Sequence, residues 1–577
     1  MLLAVESQPL PGLPHPKGRW KSETLVAIVL FLVGISLFFR VDQIPGGLDD
    51  ARFNMYVLEH GYRWLLGLDK SFWSAPFFYP AQNVITYSDN HLGSFLFYSV
   101  FRTLGAGRET AFQLWGITLF TLDYFVTWIV LRRQRFHPVG AIAAAYLFTF
   151  PFIMGIRIGF MQLAPRFMVP VAFWMASRFF ETGKGKYLHW FFAACAYQIY
   201  LGIYIGYFLM LAISSFCLLL FLLRKRWNAI NAFIKSADRG AIVRRGATYA
   251  ASCIGFVLVL LPLAIPYYQT QRTIGTRPWK EIVPMIPHWQ SYLQAPESYL
   301  WGKLLRFGDI FPLPIEQALF LGALPYLGIV AFVYLSWKSR LSPAGSEIRF
   351  AMLGVVILLA VLTLYCSGFT LYRYVWAYLP GAGGIRAVTR ISLVLIYPVA
   401  FIFGSVVTHV MTALAPARAG SKSMLQLLLG ISVLGLTVLD QFTSFSAAGG
   451  VTKRECKRRV AKLEAKIVQA MANDFNRNVL WVNDQSEKGF VWSFESIDAM
   501  LAGQDLGLNV VNGYSGLIPK GYPPAMFFLS GDCCDDLGVW ARMHPGTITK
   551  KSFLQIGWHC EIPDDYLAVP ITGFKRD

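Results

Sequence analysis

The sequence predicts a polytopic α-helical membrane protein of about eleven spans, followed by a small extracytoplasmic α/β domain at its C-terminal end. The 577 residues are 55% hydrophobic and only 15% charged, whereas soluble domains are about a quarter charged. The apolar residues form blocks of about 16 to 25, which is the length that crosses a hydrocarbon layer of about 30 Å. Beyond residue 440 these blocks stop, and charged residues return from Lys453 onward.

The N-terminal tail, residues 1–24, carries basic residues immediately before the first predicted span at 25–39. Basic residues mark the cytoplasmic ends of spans, and nothing near the start resembles a cleavable signal. We therefore expect a cytoplasmic N-terminus and a transmembrane region over 25–440. The ten further spans are predicted at 109–131, 139–155, 163–180, 187–203, 204–223, 246–266, 318–337, 349–366, 390–412 and 424–439.

The net charge of +19 reflects basic clusters between the spans and does not indicate a nucleic-acid partner. If the first span runs outward, every such cluster lies in a cytoplasmic connection, as the positive-inside rule expects. The clusters lie at 132–135, 184–186, 224–245, 338–340 and 418–422. An odd number of spans then places residues 441–577 outside. One long tilted helix over 187–223 is the alternative to a hairpin turning near Gly202 and Gly206.

The predicted outer segments are long enough to hold structure. The first, 40–108, opens with apolar spacing typical of an interfacial amphipathic helix, and its stretch 91–104 is too short to span. The second, 267–317, is rich in Trp, Tyr and Pro and could cover a cavity. The third, 367–389, contains three glycines at 381–384, which allow close backbone approach.

The tail alternates helical and strand patterns, with a helix near 453–475, strands near 479–482 and 508–511, and a helix around 494–501. Asn512-Gly513-Tyr514-Ser515-Gly516, with Pro519 and Pro523-Pro524 beyond it, is typical of a turn. The tail also holds an even number of cysteines, Cys456, Cys533, Cys534 and Cys560. They could form disulfides in an oxidising compartment, with the pairing open, and the vicinal Cys533-Cys534 could instead ligate a metal or stay reduced.

An adjacent pair of carboxylates, Asp49-Asp50, stands just beyond the first predicted span. One interpretation is structural, because acidic residues stabilise helix N-termini through capping and the macrodipole. The other is catalytic, because a carboxylate at the rim of a membrane cavity can take the proton of an attacking hydroxyl. The residues alone leave both open.

The surrounding loop resembles a known family. Asp49-Asp50-Ala51-Arg52-Phe53, then Phe78-Tyr79-Pro80 and Tyr87-Ser88-Asp89-Asn90-His91, resembles the GT-C superfamily of membrane glycosyltransferases, which includes protein O-mannosyltransferases and bacterial aminoarabinose transferase. The resemblance implies a GT-C-like transmembrane region and an inverting transfer from a polyprenyl-phosphate sugar to an extracytoplasmic glycan, lipid or protein. Asp49 matches the family's catalytic acidic position and Asp50 the next one. The resemblance also implies a bacterial inner membrane and a periplasmic tail, whose turn at 512–516 could dock the acceptor.

A lipid-phosphate leaving group departs as an anion, so the implied reaction needs positive partners. Arg386 and Arg390, where an outer segment enters a span, are the first candidates for binding the donor phosphate, because guanidinium forks suit phosphate. Interfacial anchoring is their other interpretation. Arg157 and Arg166 are second candidates, because charges inside the membrane usually serve a cavity or a pair.

Tyr87, Asp89 and His91 are candidate residues for the acceptor or the cavity. His91 could orient the acceptor, although an interfacial histidine with satisfied hydrogen bonds is the simpler interpretation. Asp89 could join Asp49 around a divalent cation, but no dense pattern of oxygen ligands is present. We therefore predict no metal ligand and no certain cofactor, with a divalent cation left open.

Three other classes of function compete with the transferase. A transporter or flippase of lipid-linked glycans would favour inverted repeats or matched broken helices, which the sequence lacks. A glycan polymerase or ligase would carry arginine and histidine in a large late loop. A non-catalytic structural or receptor protein would tolerate substitution of Asp49.

Overall fold

The computed structural model is mostly helical. It describes residues 20–223, 239–307, 310–311, 313–341, 345–414, 421–443, 450–472, 477–483, 491–522, 533–549, 551–557 and 559–567. Several predicted features lie outside the described residues, namely most of the N-terminal tail, Pro523-Pro524 and parts of the clusters at 224–245 and 418–422.

Helices occupy every position where a span is predicted. In chain order they are α1 (Trp20–Phe38), α4 (Arg108–Arg133), α5 (Pro138–Thr149) continued by α6 (Phe152–Gly155), α7 (Met168–Thr182), α8 (Gly185–Leu201), α9 (Ile203–Leu223), α10 (Arg239–Ile274), α12 (Ala323–Trp337), α13 (Ser346–Thr363), α15 (Ser392–Ala413) and α16 (Ser421–Asp440). Shorter helices lie between them, namely α2 (Asp50–Leu65), α3 (Phe95–Thr103), α11 (Trp279–Ile282) and α14 (Tyr372–Tyr378).

Within the described residues, six helices are long and apolar enough to cross a membrane. They are Arg108–Arg133, Pro138–Gly155, Ile203–Leu223, Ile242–Ile274, Ser346–Thr363 and Val388–Ala413. The apolar stretches Ser22–Phe38, Ala323–Trp337 and Met424–Asp440 are shorter, and α7 and α8 have 15 and 17 residues. The chain is therefore a helical, membrane-embedded protein.

Helices α1 and α4 run antiparallel. Near the start of α1, Glu23 forms a buried ion pair with Arg132 near the end of α4. Further along, Phe31 meets Tyr124 and Phe38 meets Phe120, with ring centroids 5.5 and 5.4 Å apart. The basic cluster at 132–135 consequently lies at the same end of the bundle as the start of α1.

The centre of the bundle is the pair α5 and α15, which are almost completely buried. A glycine on each helix allows close approach, because a Cβ at Gly140 would lie 2.6 Å from the carbonyl oxygen of Gly404. Small residues at helix contacts are typical of membrane bundles. This packing fixes the helix that begins directly after Arg390.

The predicted break inside 187–223 is confirmed. Helix α8 ends at Leu201, Gly202 adopts an extended conformation, and α9 begins at Ile203. The two helices pack closely, since a Cβ at Gly206 would lie 2.6 Å from the Cα of Ile199. The alternative prediction of one long tilted helix over 187–223 is therefore wrong.

The tail contains a small parallel sheet with helices, at the place where the sequence predicts a small α/β unit without giving the direction of its strands. Its strand order is β4 (Asn509–Val510), β3 (Val479–Asn483) and β5 (Phe553–Gly557), and both neighbouring pairs are parallel. The helices are α17 (Lys453–Met471), α18 (Trp492–Leu506) and α19 (Cys533–Met543). The sequence did not predict β5.

One disulfide joins Cys534 of α19 to Cys560. Cys456 is a buried free thiol in α17. The side chain of Cys533 lies outside the described residues. The open question of pairing is thereby answered for two of the four tail cysteines.

The tail docks on the segment 40–108, which the sequence predicts as the first outer segment. Strand β1 (Gln43–Ile44), just after α1, pairs antiparallel with β2 (Val451–Thr452). Farther along, the Tyr79 amide donates to the Val510 carbonyl at 2.9 Å, and the Val510 amide donates to the Pro76 carbonyl at 2.8 Å. Backbone pairing thus joins segments that are more than 300 residues apart in sequence.

Helix α2 is present where the amphipathic pattern predicts it, but it does not lie on an open interface. Every residue from 51 to 61 is buried, because the tail helix α18 and helices α3 and α4 pack against α2. The stretch 91–104 contains α3, whose Leu96 and Val100 are exposed. Helix α3 has nine residues and is, as predicted, too short to span a membrane.

Candidate functional site

The acidic pair lies at the start of α2. Asp49 occupies the N-cap position, yet its side chain makes no capping hydrogen bond. Neither carboxylate is fully buried. Side-chain capping therefore does not account for Asp49, whereas Asp50, in the first turn, is placed to interact favourably with the helix macrodipole.

Asp50 faces one further acid, two arginines and a tyrosine. Burial and the neighbouring charge of Asp49 raise the pKa of Asp50 to about 6. The charges of Arg390 and Arg386 and a hydrogen bond donated by the Tyr514 hydroxyl act in the opposite direction. Asp50 therefore titrates near neutral pH, where a carboxylate can both accept and release a proton.

Arg390 belongs to a buried network. Its guanidinium donates to Glu316 at 3.1 Å and lies over the rings of Phe160 and Tyr204, 4.8 and 5.0 Å from their centroids. Burial acts to raise the pKa of Glu316, but the charges of Arg390 and Arg157 outweigh it and hold that pKa below its usual value. Arg390 is thus partly neutralised before any ligand binds.

Arg157 is anchored by the backbone. Its guanidinium donates to the carbonyl oxygens of Ile153, Ile315, Glu316 and Ala318 at 2.7 to 3.2 Å, and its Nε lies 3.8 Å from the Glu316 carboxylate. Arg157 therefore holds the Glu316 segment in place, and Glu316 in turn forms the ion pair with Arg390.

Arg386 and Arg277 are two further cations, close enough for the charge of Arg386 to act on Arg277. The Arg386 amide donates to the Tyr204 hydroxyl at 3.1 Å, and no ion pair of its guanidinium is found among the residues the structure describes. Arg277 donates to the Gly516 carbonyl of the tail and lies 3.3 Å from Glu281. Burial and the nearby charge of Arg386 lower the pKa of Arg277. Two guanidinium groups near one another favour binding of an anion.

Arg166 is placed elsewhere. It pairs with Asp123 at 3.4 Å and donates to the Thr149 and Ala164 carbonyls inside the bundle. It is absent from the charged groups that act on Asp50. The structure does not bring Arg166 together with the acidic pair.

Asp89 lies beside the start of α9. Its Oδ1 accepts from the Ile203 amide at 2.6 Å, a favourable position for a carboxylate at a helix N-terminus. Burial raises the pKa of Asp89 to about 6, and the charge of Arg390 opposes that shift. Asp89 therefore fixes the helix that carries Tyr204. Among the described ranges no group of three His, Cys, Asp or Glu residues is arranged to hold a metal ion.

His91 and Tyr87 support the walls of the site. The His91 Nε2 donates to Asn54 at 2.8 Å, and Asn54 in turn donates to the Asp50 carbonyl at 2.8 Å. Burial lowers the pKa of His91 to about 3, so the ring is neutral. Tyr87 is buried, and burial raises its pKa to about 12. The His91 ring is fully buried within the protein and hydrogen-bonded, as the simpler interpretation of a satisfied histidine expects, and its position relative to the membrane interface stays a prediction.

Sequence reasoning missed three residues of this site, Arg277, Glu316 and Tyr204, and it considered Tyr514 only as part of a turn that could dock the acceptor. Arg277 could have been noticed as a basic residue in an outer segment, against the positive-inside bias. Glu316 and Tyr204 carry no local signal, because their roles depend on contacts between distant segments.

The fold and site define a membrane helix bundle with an acid and several guanidinium groups at one end, closed by a C-terminal α/β domain. Such a site can hold an anionic group while a carboxylate accepts a proton. Comparison with known proteins finds no family model that matches this chain and no similar curated protein.

Proposed function

We propose that the protein is a membrane glycosyltransferase that moves a sugar from a polyprenyl-phosphate donor to an acceptor hydroxyl. The observation that carries this proposal is the position of Asp50, which faces Arg386 and Arg390 within one partly buried site. A base beside phosphate-binding cations suits displacement of a lipid phosphate. The resemblance of the first outer loop to GT-C glycosyltransferases supports the same conclusion.

In the proposed step, the acceptor oxygen attacks the anomeric carbon of the sugar. A new carbon–oxygen glycosidic bond forms, the bond from that carbon to the phosphate oxygen breaks, and the configuration inverts. The acceptor proton passes to the carboxylate, and the polyprenyl phosphate leaves as an anion stabilised by guanidinium groups. No oxidant, reductant or covalent enzyme intermediate is required.

The resemblance implies Asp49 as the base, whereas the surroundings favour Asp50. A general base works best when its pKa lies near the working pH, and the pKa of Asp50 is about 6. The charge of Asp49 contributes to this raised value. We therefore assign the proton transfer to Asp50 and the tuning of its pKa to Asp49.

We also propose the finer topology, with eleven spans in a bacterial inner membrane, a cytoplasmic N-terminus and a periplasmic tail. Helices at all predicted positions and the antiparallel pairing of α1 with α4 support it. The Cys534–Cys560 disulfide supports a tail in an oxidising compartment. Labelling of single cysteines by a membrane-impermeant reagent at the tail and at 132–135 tests this orientation.

The function is tested by native mass spectrometry of the purified protein, supplied with polyprenyl-phosphate sugars and candidate acceptors. Wild type should bind a donor and convert it to polyprenyl phosphate. Asp50→Asn should bind the donor without consuming it, because an amide cannot take the proton. Asp565→Asn, which alters an exposed carboxylate of the tail, is the matched control and should behave as wild type.

The same experiment separates the competing readings. Loss of turnover in Asp49→Asn but not in Asp50→Asn would return the base to Asp49. Equal donor binding by all proteins, with no consumption by wild type, would contradict the transferase and favour a transporter of lipid-linked glycans.

A further inference from the structure

We propose that the C-terminal domain supplies a positioning residue to the membrane-embedded site, with the Tyr514 hydroxyl holding the Asp50 carboxylate in its working orientation. This inference deepens the proposed function and rests on it for its catalytic meaning. The contact itself can be tested without any transfer reaction.

The turn at 512–516, which carries Tyr514, is fixed from the tail side. Asn512 lies just after β4, and its side chain both accepts from the Val482 amide and donates to the Val482 carbonyl, each at 2.8 Å. Asn512 is buried and thereby joins the turn to the central strand β3. The tail sheet therefore sets where the turn begins.

The same turn is fixed from the membrane side. The Phe78 amide donates to the Asn512 carbonyl at 3.2 Å, and a Cβ at Gly513 would lie 2.2 Å from Cδ1 of Phe78. At the other end, the Gly516 carbonyl accepts from Arg277. Glycine at 513 permits a contact that no other residue would allow.

Tyr514 is the side chain that this arrangement directs into the site. Its ring packs edge-on against Phe53 of α2, with centroids 5.7 Å apart, and this brings its hydroxyl close enough to Asp50 to lower the pKa of that carboxyl. Phe53 and Asp50 lie one turn apart on the same helix, so ring and hydroxyl engage α2 together. The contact combines packing with a charge-assisted hydrogen bond.

The charged and titratable groups around Asp50 are Asp49 on its own chain segment, Arg386 and Arg390 from the segment before α15, and Tyr514 from the tail. Three of these four act to favour the ionised carboxylate. Only Tyr514 does so without a charge of its own, so replacing it leaves the net charge of the site unchanged.

The test is chemical modification by a hydrophobic carbodiimide, which adds to carboxyl groups in their protonated form. Labelling of Asp50, located by peptide mass spectrometry, is measured against pH in the full-length protein. In wild type the labelling should fall as pH rises through about 6. In Tyr514→Phe the midpoint should move to higher pH, because the hydrogen bond that favours the carboxylate is lost.

The matched control is Tyr522→Phe. Tyr522 is also a buried tail tyrosine that donates to the first outer segment, at the Tyr79 carbonyl, but it does not contact Asp50. Its loss should weaken docking without moving the midpoint. Transfer by Tyr514→Phe should fall about tenfold, since a hydrogen bond to a charged group is lost.

An unchanged midpoint in Tyr514→Phe overturns the proposal, as does an equal shift in Tyr522→Phe, which would indicate general loosening of the tail. Labelling that does not vary with pH in wild type also overturns it, because Tyr514 would have no titration to tune. If the midpoint shifts in Tyr514→Phe but the wild-type protein consumes no donor, the contact between Tyr514 and Asp50 is supported and the transferase function is rejected.

Discussion

Arg52, two residues beyond the acidic pair, forms a buried ion pair with Asp498 of the tail helix α18. The Arg52 side chain is 0% exposed, and its Nε and Nη1 have no hydrogen-bond partner among the residues that the structure describes. On its other oxygen, Asp498 also accepts from Arg459, which is 30% exposed and lies 2.6 Å away. The charge of Arg52, near the start of α2, is therefore balanced by a carboxylate of the tail.

This arrangement predicts that removing Asp498 costs more docking stability than removing Arg459. Asp498→Asn leaves Arg52 charged and buried without a carboxylate, which should cost about 3 kcal/mol or more of docking stability. Arg459→Gln removes a partly exposed partner and should cost about 1 kcal/mol or less. Limited proteolysis against denaturant measures both. Equal losses would show that Arg52 is not held by Asp498 alone.

The pKa of Asp50 predicts opposite pH dependences of activity and stability. If Asp50 is the base, transfer should rise as pH increases through about 6 and fall about tenfold per pH unit below it. The folded pKa exceeds the unfolded value of about 4, so the protonated group adds stability below pH 4. That contribution is lost as pH rises through about 6.

Asp50→Asn should therefore be more stable than wild type at pH 7 to 8, while being inactive. The difference in unfolding free energy between the two proteins, measured from pH 4 to 8, isolates Asp50 from other titrating groups such as His91. A difference that is flat across this range would contradict the raised pKa.

Substitution of Arg386 should affect donor binding with little effect on stability, whereas substitution of Arg390 should also lower stability. Arg386→Ala should raise the apparent KM for the donor with little change in Tm, because no ion pair of Arg386 is found within the described segments. Arg390→Ala leaves the buried Glu316 carboxylate with Arg157 at 3.8 Å and the Thr389 hydroxyl at 3.3 Å, and it should lower Tm clearly. Adding Glu316→Gln should restore much of that loss. A change in KM confined to the acceptor would reject phosphate binding by Arg386.

Gly513→Ala should loosen the docked tail. The added methyl group would lie 2.2 Å from the Phe78 ring, and such overpacking costs about 1 to 3 kcal/mol. We expect faster proteolysis of the tail and slower transfer. Gly538→Ala in α19, where nothing lies within 4 Å of the added Cβ, is the control and should leave both unchanged.

The helices and tail strands β3 and β4 could be predicted because their signals are local, in apolar length or alternation. The acidic pair could be identified from the sequence because its two carboxylates, Asp49 and Asp50, are adjacent in the chain. Arg52 and Glu316 could not be assigned, since each acquires its role from partners on distant segments, Asp498 and Arg390. Strand β5 was missed because its five residues lie alone near the chain end, beyond any repeating pattern.

Because the tail contributes contacts to the site, the complete site can form only after the tail has been synthesised. Arg52 and Asp498 are separated by 446 residues, and protein synthesis proceeds from the N-terminus. Throughout most of synthesis the acidic pair is present in the membrane without the domain that covers α2. A ribosome that stops before α18 would release a chain in which Arg52 of α2 has no Asp498 to pair with.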